Sequence, residues 1–269
     1  MDAVVAERVQ LISDDREHGA GWLARQAVEA LAEAVRAGED PLEAGRALAA
    51  ARPGMAAVAG AVGRVLAAGK TDEQLLEQCS ALIERRDRAA HSIAAILRPD
   101  LDGTVMTHSA SATVREALVY AQPPRVVCTV TEPNEEGRPF AEDLTGEGLA
   151  VDLVADEDAP HALQSVDLLL LGADSVFRDG SLVNRGGTAA LTEAAREAGV
   201  AIVVACETFK LAPFDPDEAD TAHEPFDLTP PDRIDRYVTD EGVFAPDEIA
   251  SLIDQTPFLR EGYELLRGR

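Results

Sequence analysis

Apolar residues recur at helical spacing through the first third of the chain. Leu23 opens an amphipathic run of alanine, leucine and valine that reaches Val35 and stops at Gly38, a residue suited to a helix C-terminus. Asp40 and Pro41 restart a helix, because proline is tolerated in a first turn where its missing N–H costs nothing. Residues Met55 to Leu66 are small and apolar, as in a helix packed within a bundle. Thr71 and Gln74 have the spacing of a capping box, and the helix behind them runs towards Leu97. The stretch from Arg98 to Gly103 holds Pro99, Asp100, Asp102 and a glycine, which is turn chemistry. It divides the chain into an all-helical N-terminal domain over 1–98 and a second domain over 99–269.

From Thr104 the pattern alternates between short apolar strands and helices. Strand Thr104–His108 leads to helix Ala112–Ala121, Arg125–Thr131 to Phe140–Gly148, and Ala150–Ala155 to Pro160–Val166. Leu168–Asp174 leads through a glycine turn to Ala189–Gly199, then come Ala201–Cys206, Arg236–Thr239 and a closing helix Pro246–Gln255. Strands alternating with helices of this length predict parallel βαβ units. The expected fold class is therefore α/β: a helical N-terminal domain plus a Rossmann-like, doubly wound parallel sheet. Asp215 to Glu224 reads as an acidic loop.

Leu168 to Leu171 is four leucines in a row, ending in Gly172, Ala173 and Asp174. A strand buried on both faces shows such a run rather than an alternation. Its tip delivers one carboxylate to the strand end where open α/β sheets bind ligands. Gly186, Gly187 and Thr188 then open a helix, and a glycine turn at a helix N-terminus is a ready anion seat. A carboxylate and an anion seat close in sequence suggest a phosphorylated small molecule.

Composition narrows the picture. The chain has 269 residues, 46% of them apolar, and a formal net charge of −25. Only Lys70 and Lys210 are lysine, so 22 of the 24 basic residues (24 − 2) are arginine. Such acidity with almost no lysine is expected of a halophilic protein, since high internal salt screens the self-repulsion. No basic cluster is present to neutralise a phosphate backbone, so direct nucleic-acid binding is not expected. Cys79, Cys128 and Cys206 form no CxxC pair, which argues for a reducing, cytoplasmic setting. No segment reaches the roughly 18 apolar residues of a membrane span. The five histidines lack metal-ligand spacing and no GxGxxG anchors a nicotinamide, so neither metal nor cofactor is expected. Gly69, Lys70 and Thr71 imitate the end of a P-loop, but Arg64 stands where its first glycine belongs and a helix, not a strand, precedes it.

An ordered series of motifs brings the chain close to one family. The series is His18-Gly19-Ala20, Arg52-Pro53, Thr107-His108-Ser109, Glu132 with Gly137-Arg138, Gly172-Ala173-Asp174, Asn184-Arg185-Gly186-Gly187-Thr188, Glu207-Thr208-Phe209-Lys210 and Phe226-Asp227-Leu228-Thr229-Pro230. With it the sequence resembles the group uniting ribose-1,5-bisphosphate isomerase, methylthioribose-1-phosphate isomerase and the regulatory (alpha, beta, delta) subunits of translation initiation factor 2B. The last two motifs resemble the ribose-1,5-bisphosphate isomerase branch most. The resemblance implies a homodimer or higher homo-oligomer, with a phosphosugar or nucleotide pocket between the two domains.

Converting a 1-phosphorylated aldose to a ketose requires ring opening, so the site needs two titratable groups with separated pKa values. The phosphates need arginine, lysine and backbone N–H donors. By resemblance, Asp174 is the catalytic carboxylate and Ser109 occupies the second catalytic position. His18, Gly19, Ala20, Arg52, Asn184, Arg185 and Lys210 are the substrate contacts. The isomerases carry a cysteine where Ser109 stands, and a hydroxyl cannot act as a thiolate near neutral pH. The family's usual arginine before Gly19 is His18, its lysine after Asn184 is Arg185, and the bulky residue that follows is Gly186. These departures imply a phosphosugar- or nucleotide-binding member without the usual cysteine-dependent turnover. The alternative is an active isomerase using Asp174 with Ser109, Cys206 or His108.

Overall fold

The computed structural model describes residues 3–15, 18–53, 55–216 and 225–268. Most of the acidic loop expected over 215–224 lies outside them.

Five helices come first: α1 (Ala3–Asp14), α2 (Ala20–Ala37), α3 (Pro41–Ala50), α4 (Ala56–Ala68) and α5 (Asp72–Leu97). Their ends follow the local signals. Gly38 closes α2 in the left-handed conformation, and Asp40 caps α3 by accepting from the N–H groups of Leu42 and Glu43. Thr71 caps α5 through the N–H of Gln74, but the Gln74 side chain accepts from Lys70 N–H rather than from that of Thr71. Leu23, Val28 and Leu31 of α2 pack with Val58 and Val62 of α4 in a core of the helical layer.

The second part alternates as the pattern predicts. It runs through β1 (Thr104–Thr107), α6 (Ala112–Ala121), β2 (Arg125–Thr129), α7 (Gly137–Gly146), β3 (Val151–Val154), a short α8 (Ala159–Ala162) and β4 (Leu168–Leu171). A small strand pair, β5 (Ser175–Val176) and β6 (Leu182–Arg185), precedes α9 (Thr188–Ala198) and β7 (Ala201–Ala205). Then follow β8 (Phe226–Thr229), β9 (Arg236–Thr239), β10 (Gly242–Phe244), α10 (Ile249–Gln255) and α11 (Leu259–Arg267). The main sheet has the order β10-β9-β7-β4-β1-β2-β3, parallel throughout except for β10. Its six parallel strands stand in chain order 3-2-1-4-5-6, the doubly wound arrangement, whose switch point lies between β1 and β4. The four leucines of β4 divide between the two faces: Leu168 and Leu170 join the core under α6 and α7, while Leu169 and Leu171 join the core under α9 and α10.

Three features depart from the pattern read in sequence. A second sheet, β5-β6-β8, is antiparallel and carries Asn184 and Arg185 on β6, where a plain glycine turn was expected. The final helix α11 crosses back to α4, where Gly63 and Gly262 meet so closely that a Cβ on Gly262 would lie 2.4 Å from the Gly63 carbonyl carbon. Tyr263 fixes this crossing by donating to Ala56 O at 3.0 Å. The last turns of α5 (Ile93, Ala94, Leu97) belong to the core of the strand-bearing part, so packing crosses the change from helices to strands. No helix among the described residues is long and apolar enough to cross a membrane.

Candidate functional site

One cavity of about 700 Å³ opens between the helical layer and the carboxyl ends of β1 and β4. His18, Gly19, Ala20, Arg52, Ser109, Asp174, Asn184, Arg185 and Lys210 all line it. Gly19 leads into α2 in an extended conformation with no side-chain cap, so the first turn of this 18-residue helix opens on the cavity. The start of α6, Ala112 and Thr113, opens on it too. Two helix N-termini therefore bring partial positive charge to one recess.

Asp174 sits three residues beyond β4. Among the described residues no hydrogen bond reaches its carboxylate. It is half-buried and lines the recess. Burial therefore raises its pKa, against the opposing charges of Lys210, Arg185 and Arg52 and with help from Glu136. Next to it lies a buried ion pair. Lys210 Nζ is 2.8 Å from Glu207 Oε2, and Thr113 donates to Glu207 Oε1 at 2.6 Å. Burial alone would push the Glu207 carboxyl up and the Lys210 ammonium down. The mutual attraction and hydrogen bonds win, so Glu207 is shifted down and Lys210 up.

Ser109 follows β1 with φ 68°, in the left-handed region. Its N–H donates to Thr131 Oγ1 at 3.0 Å, and its hydroxyl donates to Glu136, which also holds Arg185 through Nε at 2.7 Å. The Phe226 ring supports the Arg185 guanidinium from one side. Arg52 donates from Nε to Ile12 O at 2.8 Å and from a second nitrogen to Asp15 O, so it ties the end of α1 to the cavity rim. His18 stacks on Trp22 with ring centroids 3.9 Å apart and hydrogen-bonds Asp15 through Nδ1 at 2.7 Å.

The proposed substitutes for a family cysteine fall elsewhere. Cys206 is fully buried behind the cavity wall, and burial pushes its thiol well up. His108 is also buried outside the lining. Its Nε2 donates to the Gly186 carbonyl at 2.9 Å, and its Nδ1 hydrogen-bonds the Thr129 hydroxyl at 2.7 Å. The glycine turn before α9 needs correction as well. Its N-terminus is filled from within: Asp227 on β8 accepts from the N–H groups of Gly187 at 2.9 Å and Ala189 at 3.1 Å. The anion at this seat is the protein's own, and it comes from a strand some 40 residues onward, where a local reading cannot see it. Glu136 and Trp22 are site residues outside the quoted motifs, and Glu207 lies within one that assigned it no role.

A model of the initiation factor 2 subunit family matches residues 16–225. The chain belongs to that family. It is 35% identical over 178 residues to ribose 1,5-bisphosphate isomerase of Haloferax volcanii, a stretch covering 56% of this chain and 55% of that relative. The chain thus spans about half the length of that curated relative. Its fold is that of the translation initiation factor eIF-2B of Pyrococcus horikoshii OT3, with a TM-score of 0.83 at 23% identity, covering 91% of this chain and 98% of the other. A chain of the tetrameric eIF2B-beta2-delta2 complex from C. thermophilum superposes with a TM-score of 0.81 at 20% identity, covering 92% of each.

Proposed function

We propose that the cavity binds a phosphorylated sugar or nucleotide, and that this family member lacks the usual cysteine-dependent turnover. The observation that carries the reading is convergence. Residues from position 13 to position 226 line one recess that combines two helix N-termini, arginines, a lysine and the carboxylates of Asp15, Asp174 and Glu207, the last of them paired with Lys210. Arginine forks and helix N-termini are the donors that phosphate oxygens need. The absence of turnover is supported by the chemistry of the wall. Ser109 is a hydroxyl with its proton held by Glu136, and neither Cys206 nor His108 lines the recess.

A second reading, an active aldose–ketose isomerase, is favoured by Asp174. A carboxyl whose pKa is raised by burial holds its proton to a higher pH than an exposed one does, which suits an acid that assists ring opening. The Haloferax relative bears an isomerase name, and that supports the same ligand class. We further propose a homo-oligomer in the cytoplasm built on two domains dividing at 98/99. The tetrameric assembly of beta and delta chains named for the C. thermophilum neighbour supports assembly into an oligomer.

The test is a thermal-shift screen in molar KCl with ribose-1,5-bisphosphate, ribulose-1,5-bisphosphate, AMP and GMP, followed by a turnover assay. At least one of these ligands is expected to raise Tm by mass action, while the parent forms negligible ribulose-1,5-bisphosphate. Arg52→Ala should weaken binding through loss of a charge-assisted contact of about 1.5–3 kcal/mol. No shift with any of the four removes the ligand reading. Product formation at an ordinary enzymatic rate, abolished in Asp174→Asn, replaces the first reading with the second.

A further inference from the structure

The Glu136 carboxylate stands behind the cavity wall and touches two residues that line it. It precedes α7 and does not itself face the recess. Ser109 Oγ donates to its Oε1, Arg185 Nε donates to the same oxygen at 2.7 Å, and an Arg185 terminal nitrogen donates to Oε2. We infer that Glu136 is a positioning residue that makes Ser109 a hydrogen-bond acceptor for a sugar hydroxyl, while aiming Arg185 at a neighbouring phosphate. The inference rests on the phosphosugar reading above and narrows it to ligands with a free hydroxyl beside a phosphate.

A serine hydroxyl has one proton and two lone pairs. A carboxylate clamped by a guanidinium accepts only, so the proton on Ser109 must point at Glu136. What Ser109 offers the recess is then a lone pair. A lone pair attracts the O–H of a sugar and repels the oxygens of a phosphate. The Ser109 backbone is held at φ 68° by its N–H bond to Thr131, which fixes the direction of Cβ, and the hydrogen bond to Glu136 holds the hydroxyl itself. Arg185 is sorted in the same way. A guanidinium has five N–H donors in a planar fork. Glu136 takes Nε and one terminal nitrogen along one edge, and the Phe226 ring lies 5.2 Å from its centre and supports its plane. The remaining N–H groups stay on the edge away from Glu136. One carboxylate thus sets an acceptor and a cationic donor side by side, which is the polarity of a hydroxyl next to a phosphate ester.

The test compares ribose-1,5-bisphosphate with its 2-deoxy and 3-deoxy analogues by titration calorimetry at molar KCl. The parent, Ser109→Ala and Glu136→Gln are each measured, with near-ultraviolet circular dichroism confirming native packing. The parent is expected to lose roughly five- to tenfold in affinity for one deoxy analogue, the size of one hydrogen bond. Ser109→Ala should bind that pair within about twofold of each other. Glu136→Gln should also compress the ratio, because an amide donates as well as accepts and releases the serine proton. A general loss of packing would weaken all three ligands together and leave the ratio unchanged. A parent that binds none of the three removes the phosphosugar reading and this inference with it. A parent that binds all three equally, or a preference that survives in either variant, overturns the inference alone.

Discussion

At the scale of single residues, the polar groups of the site are held by partners, and the Asp174 carboxylate is not. Lys210 answers Glu207, Arg185 answers Glu136, Arg52 is tied to the carbonyls of Ile12 and Asp15, and His18 hydrogen-bonds Asp15, whereas no hydrogen bond among the described residues reaches the Asp174 carboxylate. Its folded pKa lies above its unfolded value. The native state therefore binds more protons than the unfolded chain. The stability linked to Asp174 is full below its unfolded pKa near 4 and is lost as pH rises through the folded value. Asp174→Asn removes that penalty, so its Tm should exceed the parent's at pH 7 and the gain should shrink as pH falls towards 4. A gain that is constant with pH, or a loss at pH 7, would mean that the carboxylate is comfortably ionised. The nine site residues expected from motifs do line one cavity, because each lies in a short segment that carries its own signature. Glu136 escaped because it sits in an acidic loop next to Glu135, and its partners, Ser109 and Arg185, are 27 and 49 positions away.

At the scale of elements, legibility followed the range of the signal. Thr71, Asp40, Gly38 and Ser111 mark helix ends through bonds to residues two to four positions away, and those ends fall where the sequence puts them. Strands β5, β6 and β8 have two to four residues each and exist because they pair with one another across gaps that no local window spans. Helix α11 was also overlooked, although Leu259, Gly262, Tyr263 and Leu266 repeat at helical spacing. Its small residue is the informative one. An alanine at 262 would press its Cβ against backbone atoms of Gly63 and Arg64, which cannot give way as a flexible side chain can. Gly262→Ala should destabilise by about 1–3 kcal/mol, read as a fall in denaturation midpoint at constant m-value. Gly146→Ala is the control: it has open space and is the last residue of α7, so it should be neutral or stabilise by up to ~1 kcal/mol. Equal effects at the two positions would show that the α4–α11 crossing tolerates expansion.

At the scale of the whole molecule, charge dominates. Even if every basic residue is matched to an acidic one, 25 acidic groups (49 − 24) remain unmatched. Exposed arginine–carboxylate pairs contribute about 0–1 kcal/mol each and weaken in salt, whereas screening relieves the repulsion of the entire surplus. Relief should win, so Tm is expected to climb steadily from 50 mM to molar KCl. A flat or falling Tm would remove the halophilic reading. The return of α11 to α4 bears on a different process, the order in which the chain leaves a ribosome. The hydroxyl of Tyr263 meets the carbonyl of Ala56 across 207 positions. At 5–20 residues per second, the glycine-lined face of α4 waits roughly 10–40 s for its partner. During that interval the face of α4 that carries Gly60 and Gly63 stays uncovered by α11. The polypeptide must therefore remain soluble with its first third half-assembled, and the surplus of negative charge that burdens the finished fold is what keeps the nascent one from sticking to its neighbours.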